Sequence, residues 1–244
     1  IILIINNLFN IIMHQYEHGS LNYYLLFLSY MNIINKLPSK LPVFPLSNFI
    51  FFPNTSAPLN IFEPRYIQMI NESIKSNRMI GMSQPKGIIN QDKPELFKVG
   101  CLGKISSFNE TDDGRYVIVL NGITRFNIVE EIDNGKPFRE FKVNYKGFEN
   151  DENNNEENIN FSDLNLIFND LKKIFEKQGY MINWTELEKQ SLDETINALA
   201  MASPFSLEEK QVLLEAESLN KRKNKIAEIL STYTHDIYDN TTLQ

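Results

Sequence analysis

The sequence has few of the residues that many enzymes use for chemistry. It contains one cysteine, Cys101, and three histidines among 244 residues. A single cysteine excludes an internal disulfide and a cysteine-rich zinc site, and it is typical of a small apolar residue in a buried strand. The chain also has no Gly-x-x-x-x-Gly-Lys-Ser/Thr phosphate loop. We therefore predict no catalytic residues, no cofactor and no nucleotide hydrolysis by that route.

The few histidines do not form a convincing metal site. His14 and His18 have the i, i+4 spacing that can bind a metal on a helix, and Glu17 lies between them. The glutamate does not follow the first histidine, as the metalloprotease pattern requires. His235 lies among polar residues near the carboxyl end, which is typical of a solvated side chain. We predict that no metal is bound.

Positive charge is also scarce. The chain has 24 lysines and arginines and 31 aspartates and glutamates, which gives a formal charge of -7. This balance opposes a surface that follows phosphates, so nucleic acid is not an expected partner. The apolar runs Ile1–Ile12 and Leu21–Tyr30 are each too short for a bilayer, which takes about 20 residues, and no basic region precedes them. We expect no stable membrane insertion and a cytoplasmic, reducing location.

The first residues stand apart from the rest. The chain begins with Ile, and the patterned sequence starts only after Met31. We expect Met31 to be the natural initiator, so that residues 1–30 are an upstream translation or a poorly ordered extension. The non-native or disordered part as a whole is expected to cover residues 1–36. A peripheral membrane anchor is the alternative.

Residues 37–147 have the signals of short strands and turns. Pro64 follows an acidic residue and is succeeded by apolar residues at helical spacing, which predicts one helix after the first strands. The glycines Gly100 and Gly103 lie inside a strand pattern, where they indicate a bulge or a close backbone approach. Asp113-Gly114 and Asn121-Gly122 both predict turns. This region is predicted to be an antiparallel meander of sequential strands.

The remaining residues change character abruptly. Residues 148–160 are acidic and asparagine-rich, which predicts a solvated linker between two domains. A metal-binding loop is the alternative, but this segment lacks the ligand spacing of a calcium-binding loop. Residues 161–237 have helical periodicity, with capping boxes that begin at Ser191 and Ser206, and residues 238–244 form a polar tail. We predict an α+β protein in which a helical bundle follows the sheet.

Several short motifs follow one another along the chain. They are Leu41-Pro-Val-Phe-Pro-Leu46, Phe52-Pro53, Ile61-Phe-Glu-Pro-Arg-Tyr66, Ile80-Gly-Met82, Val99-Gly-Cys-Leu-Gly103, Asp113-Gly-Arg-Tyr116, and Asn121-Gly122 with Thr124-Arg-Phe126. In this order they resemble the amino-terminal domain of Lon-type ATP-dependent proteases.

The resemblance implies a PUA-like antiparallel β pseudobarrel capped by one helix and followed by a helical bundle. It also implies a non-enzymatic role: a stand-alone module that recognises unfolded or misfolded polypeptides and works with a separate protease or chaperone. One alternative is the amino-terminal part of a complete ATP-dependent protease. Another is small-molecule or RNA binding, which PUA-like folds also serve.

A receptor for unfolded chains needs exposed apolar surface, a sheet edge and a few charges at the rim. Phe49, Phe51 and Phe52 lie in the proline-interrupted strand region, where an edge is expected. Glu63 and Arg65 begin the adjacent helix. We predict that these five residues lie on or near a peptide-binding face. The alternative is that the phenylalanines fill the core, Glu63 interacts with the helix dipole and Arg65 pairs locally.

Overall fold

The computed structural model describes residues 37–87, 93–151, 164–177, 184–187 and 189–239. The predicted extension over 1–36 and its histidine pair therefore lie outside the described residues, as does most of the predicted acidic linker. The described residues from Ser39 onward form one compact unit.

Six strands form a single mixed sheet that closes on itself. The sheet order is β2-β5-β4-β3-β1-β6, and β5 also pairs with β6. Five strands thus close into a barrel, and β2 is added along β5. The strands are β1 (Lys40–Pro45), β2 (Ser56–Ile61), β3 (Met79–Ser83), β4 (Val99–Glu110), β5 (Tyr116–Ile132) and β6 (Glu140–Asn144).

The predicted meander is confirmed for β4, β5 and β6, which are sequential antiparallel neighbours. It is wrong for the first strands. β1 lies parallel to β3 and antiparallel to β6, whereas β2 pairs with β5. The reason is that helix α1 (Pro64–Ile74) lies in the connection from β1 to β3, and such a crossover lets two strands run in the same direction.

The predicted turn at Asn121-Gly122 is also wrong, because β5 continues through it. Gly122 is needed for space: a Cβ atom there would lie 2.2 Å from the carbonyl oxygen of Phe52. Gly100 has the predicted close approach, since its Cβ would lie 2.4 Å from the carbonyl oxygen of Met82, and a register shift confirms a bulge next to Gly103. A glycine in a strand can therefore admit a neighbouring backbone instead of ending the strand.

Helix α1 confirms the predicted corner. Pro64 occupies its first turn after Glu63, and the helix contacts β1 and β3. Its buried face carries Tyr66, Met69 and Ile70, at the spacing of one helical stripe.

The carboxyl-terminal part is helical, as predicted. Hydrogen bonds within the capping boxes support two of its helix starts: Ser191 N donates to Glu194 at 3.0 Å, and Ser206 N donates to Glu209 at 2.7 Å. Among the described residues, no helix is long and apolar enough to cross a membrane. The helices are α2 (Asn165–Lys177), α3 (Trp184–Leu187), α4 (Leu192–Ala202), α5 (Leu207–Glu215) and α6 (Leu219–Asp239).

Sheet and helices share one apolar core. A buried arginine of β5, Arg125, connects them: its side chain binds Asp151 at 2.7 and 2.8 Å and also donates to the carbonyl oxygens of Leu214 and Ala216. Its guanidinium carbon lies 4.3 Å from the centroid of the Phe148 ring. The helices are therefore held against the barrel, while the linker predicted over 148–160 remains a prediction.

Candidate functional site

A concave site lies where β1 and β2 end and α1 begins. We call it the α1 groove. Its volume is about 510 Å³. It is lined by Phe44, Pro45, Leu46, Ser47, Asn60, Ile61, Phe62, Glu63, Arg65, Tyr66, Pro85, Lys93, Pro94, Pro137, Phe138 and Arg139.

The local sequence explains why this corner is open. Side chains of β2 alternate between core and solvent, so Ile61 is 2% exposed, whereas the next residue, Phe62, is 63% exposed. Pro64 then begins the helix, because its fixed φ and missing N–H suit a first helical position. A large aromatic side chain is therefore held on the wall of the groove without burial.

The floor of the groove is aromatic. The rings of Phe44 and Tyr66 have centroids 4.4 Å apart, and both residues are buried. Burial raises the pKa of the Tyr66 phenol, although the nearby Arg65 and Arg139 guanidinium groups act in the opposite direction. The phenol therefore stays neutral at physiological pH and can serve as both donor and acceptor.

Charged side chains form the rim. Arg65 pairs with Glu63 at 2.7 Å, with about half of each side chain exposed. Arg139 binds Glu131 at 2.7 and 2.9 Å and donates to the carbonyl oxygen of Pro94 at 2.7 Å. The hydrogen bond from Arg139 is the main cause that lowers the pKa of the Glu131 carboxyl. The Arg139 guanidinium is thereby fixed in orientation.

The structure separates the five residues predicted to bind peptide. Glu63 and Arg65 line the α1 groove. Phe51 and Phe52 are 2% and 0% exposed and belong to the core, as the alternative interpretation holds. Phe49 is partly buried, with its ring 6.3 Å from that of Phe51. The predicted involvement of these residues in peptide binding stays a prediction.

The two buried phenylalanines lie in a loop instead of at a sheet edge. Two contacts accompany the inward turn of this loop. The carbonyl group of Phe52 packs against Gly122, and the guanidinium carbon of Arg222 lies 5.5 Å from the centroid of the Phe52 ring. Neither partner could be identified from the sequence, since both are distant along the chain.

Sequence reasoning missed Phe62, Tyr66, Lys93 and Arg139 as members of one site. The strict alternation after Leu59 is the signal that would have placed Phe62 on the solvent side. Nothing in the sequence indicates that Arg139, which precedes β6, lies beside α1.

Chemically, the groove presents apolar surface, a neutral phenol and charged side chains. Within the part of the chain that the structure describes, no group of three or more histidine, cysteine or acidic side chains could hold a metal ion. Burial raises the pKa of the Cys101 thiol well above its usual value. The arrangement suits binding of a flexible apolar segment.

Solved structures show the same fold. A Lon N-terminal domain protein from Xanthomonas campestris superposes with a TM-score of 0.58 at 19% identity, covering 78% of this chain and 98% of its own. The N-terminal domain of the Mycobacterium avium complex Lon protease gives a TM-score of 0.55 at 14% identity, with coverage of 79% and 98%. The α+β architecture is thus that of Lon N-terminal domains.

Comparison of the sequence with known proteins identifies the family. The ATP-dependent protease La (LON) substrate-binding domain matches residues 40–232, so the chain belongs to this family. The Lon protease of Malacoplasma penetrans is 35% identical over 186 residues, which cover 72% of this chain and 23% of that protein. Lon protease 2 of Myxococcus xanthus is 24% identical over 210 residues, covering 82% and 24%. The chain thus spans less than a quarter of the length of these relatives.

Proposed function

We propose that this chain is a non-catalytic recognition module that binds unfolded or misfolded polypeptide segments in the α1 groove. The observation that carries the proposal is the exposed Phe62 beside a concave aromatic floor, in a domain of a substrate-binding family. Unfolded segments expose apolar side chains that folded proteins bury, so an open apolar groove with a polar rim can distinguish the two states.

In this proposal the chain delivers its client to a separate protease or chaperone in the cytoplasm. Nucleic acid is not a partner, because the chain carries an excess of negative charge.

Binding can be tested by fluorescence anisotropy with a labelled protein that is chemically modified so that it stays unfolded, and with the unmodified, folded form of the same protein as competitor. We expect the unfolded form alone to bind. Phe62→Ala should weaken binding ~10-fold, since an exposed aromatic anchor at the centre of a contact often dominates its energy. The matched control is Leu166→Ala, which removes a side chain of a residue that is 77% exposed on α2, outside the groove.

Equal affinities of the Phe62→Ala and Leu166→Ala variants would exclude the groove as the binding site. Absence of binding by the unmodified chain would exclude the proposed function altogether. Thermal unfolding of both variants should match that of the unmodified chain, because each removes an exposed side chain.

A second candidate is the substrate-recognition part of a complete ATP-dependent protease, which the relatives' greater length favours. The mass of the protein in its native cell distinguishes the two. A product near 28.4 kDa would support the separate module. A much larger product that hydrolyses ATP would support the protease.

A further inference from the structure

The charge of the α1 groove is opposite to that of the whole chain. Its lining includes three basic side chains, Arg65, Lys93 and Arg139, and one acidic side chain, Glu63. The chain as a whole has a formal charge of -7. A concave site that collects one sign of charge raises the local concentration of ligands with the opposite sign.

The three cations differ in how firmly they are held. Arg139 is fixed by Glu131, so it supplies a steady positive charge. Arg65 pairs with Glu63, but both side chains are more than 40% exposed, and such pairs exchange partners at little cost. Lys93 is exposed, and its charge also contributes to lowering the pKa of the Glu131 carboxyl. Among the residues that the structure describes here, three cations lie beside two carboxylates even when Glu131 is counted.

The backbone adds to this field. The amino-terminal end of α1, an eleven-residue helix, lies at the groove, and the Glu63 side chain makes no capping hydrogen bond to it. The positive end of the helix dipole is thus directed toward the same space as the basic side chains.

Apolar and positive surfaces are adjacent here. Phe62 is the most exposed aromatic side chain of the lining, and the charged residues Glu63 and Arg65 follow it closely in the sequence. On the basis of the proposed function, we propose that the α1 groove selects polypeptide segments in which Asp or Glu side chains flank an aromatic or aliphatic residue.

The distribution of the cations favours acidic side chains over a terminal carboxylate. Arg65 belongs to α1, Lys93 precedes β4 and Arg139 precedes β6. A single carboxylate is best bound by donors gathered at one point, whereas charges spread around a groove complement several carboxylates along an extended segment.

Short labelled peptides with a common apolar centre and acidic, neutral or basic flanks would test the preference, all with amidated carboxyl ends. We expect the acidic peptide to bind ~10-fold more tightly than the basic one, with the neutral peptide between them. The difference should shrink as salt is added, because exposed charges are screened.

The outcomes separate this inference from the proposed function. Equal binding of all three peptides would overturn the charge preference and leave polypeptide recognition intact. Failure of every peptide, together with failure of the unfolded protein, would overturn the proposed function. Tighter binding of a neutral peptide with a free carboxyl end than of the amidated acidic peptide would assign the site to chain termini instead.

Variants locate the preference on the molecule. Lys93→Gln and Arg65→Gln should each weaken binding of the acidic peptide ~3-fold more than they weaken binding of the neutral peptide. The matched control, Lys172→Gln, removes an exposed lysine of α2 outside the groove and should change neither. Equal effects of Lys93→Gln and Lys172→Gln would overturn the assignment to the groove.

Discussion

Two arginine–carboxylate pairs of this protein have the same chemistry and opposite surroundings. Arg125 and Asp151 are 3% and 8% exposed and connect the barrel to α5. Arg65 and Glu63 are 46% and 42% exposed and lie at the rim of the α1 groove. Both arginines belong to motifs that resemble the same family. The comparison shows that burial decides whether such a pair is enclosed in the fold or remains open to solvent.

The most direct test of this difference in stability is to remove one carboxylate from each pair. Asp151→Asn leaves the buried Arg125 charge without its partner, and we expect a loss of about 3–5 kcal/mol in the free energy of unfolding. Glu63→Gln should cost less than about 1 kcal/mol, because solvent screens the exposed pair. Urea denaturation monitored by circular dichroism measures both. Similar losses for the two variants would contradict the comparison.

The contrast between buried and exposed side chains can also be tested with two phenylalanines that are ten residues apart. Phe52→Ala should destabilise the protein by about 3–5 kcal/mol, because its fully buried ring leaves a cavity in the shared core. Phe62→Ala should change stability by no more than about 0.5 kcal/mol, since its side chain is largely exposed. Thermal denaturation of the two variants provides the measurement. A large loss for Phe62→Ala would mean that the groove wall is structural.

The pair between Arg139 and Glu131 is intermediate in exposure, at 16% and 35%. For this pair we expect the smallest effect on the free energy of unfolding. Since the hydrogen bond from Arg139 lowers the folded-state pKa of Glu131 below 4.5, its contribution to stability is present above that pH. The contribution is lost as the pH falls through the lowered value. A carboxyl-carbon NMR titration should show the Glu131 pKa rising toward its ordinary value in the Arg139→Gln variant.

Glu95 provides the control in the same spectra. Its pKa is lowered mainly by a hydrogen bond from Lys86, which Arg139→Gln does not remove. An unchanged Glu131 pKa in the variant would show that Arg139 is not its main partner.

Much of the fold could be predicted from local signals. The corner at Pro64, the helix that follows it and the capping boxes at Ser191 and Ser206 depend on residues close together in sequence, and all are confirmed. Strand pairing depends on distant residues, so the parallel pairing of β1 with β3 and the continuation of β5 through Gly122 were not predicted.

The candidate site was predictable in part. Glu63 and Arg65 were placed at the start of a helix, and the structure adds that this helix start borders a groove. Phe51 and Phe52 were expected at an edge because a proline-rich segment commonly avoids central strands. Their burial depends on Arg222 and Gly122, which only the folded chain brings to them.

The sequence by itself determined the α+β class, the family, the helix starts and the excess of negative charge, because periodicity, capping and composition are local or additive properties. Only the tertiary structure decided which phenylalanines are buried, which strands pair and which basic residues meet around Phe62. Those outcomes depend on the packing of segments far apart in the chain, where the burial of one side chain is settled by the shape of all the others.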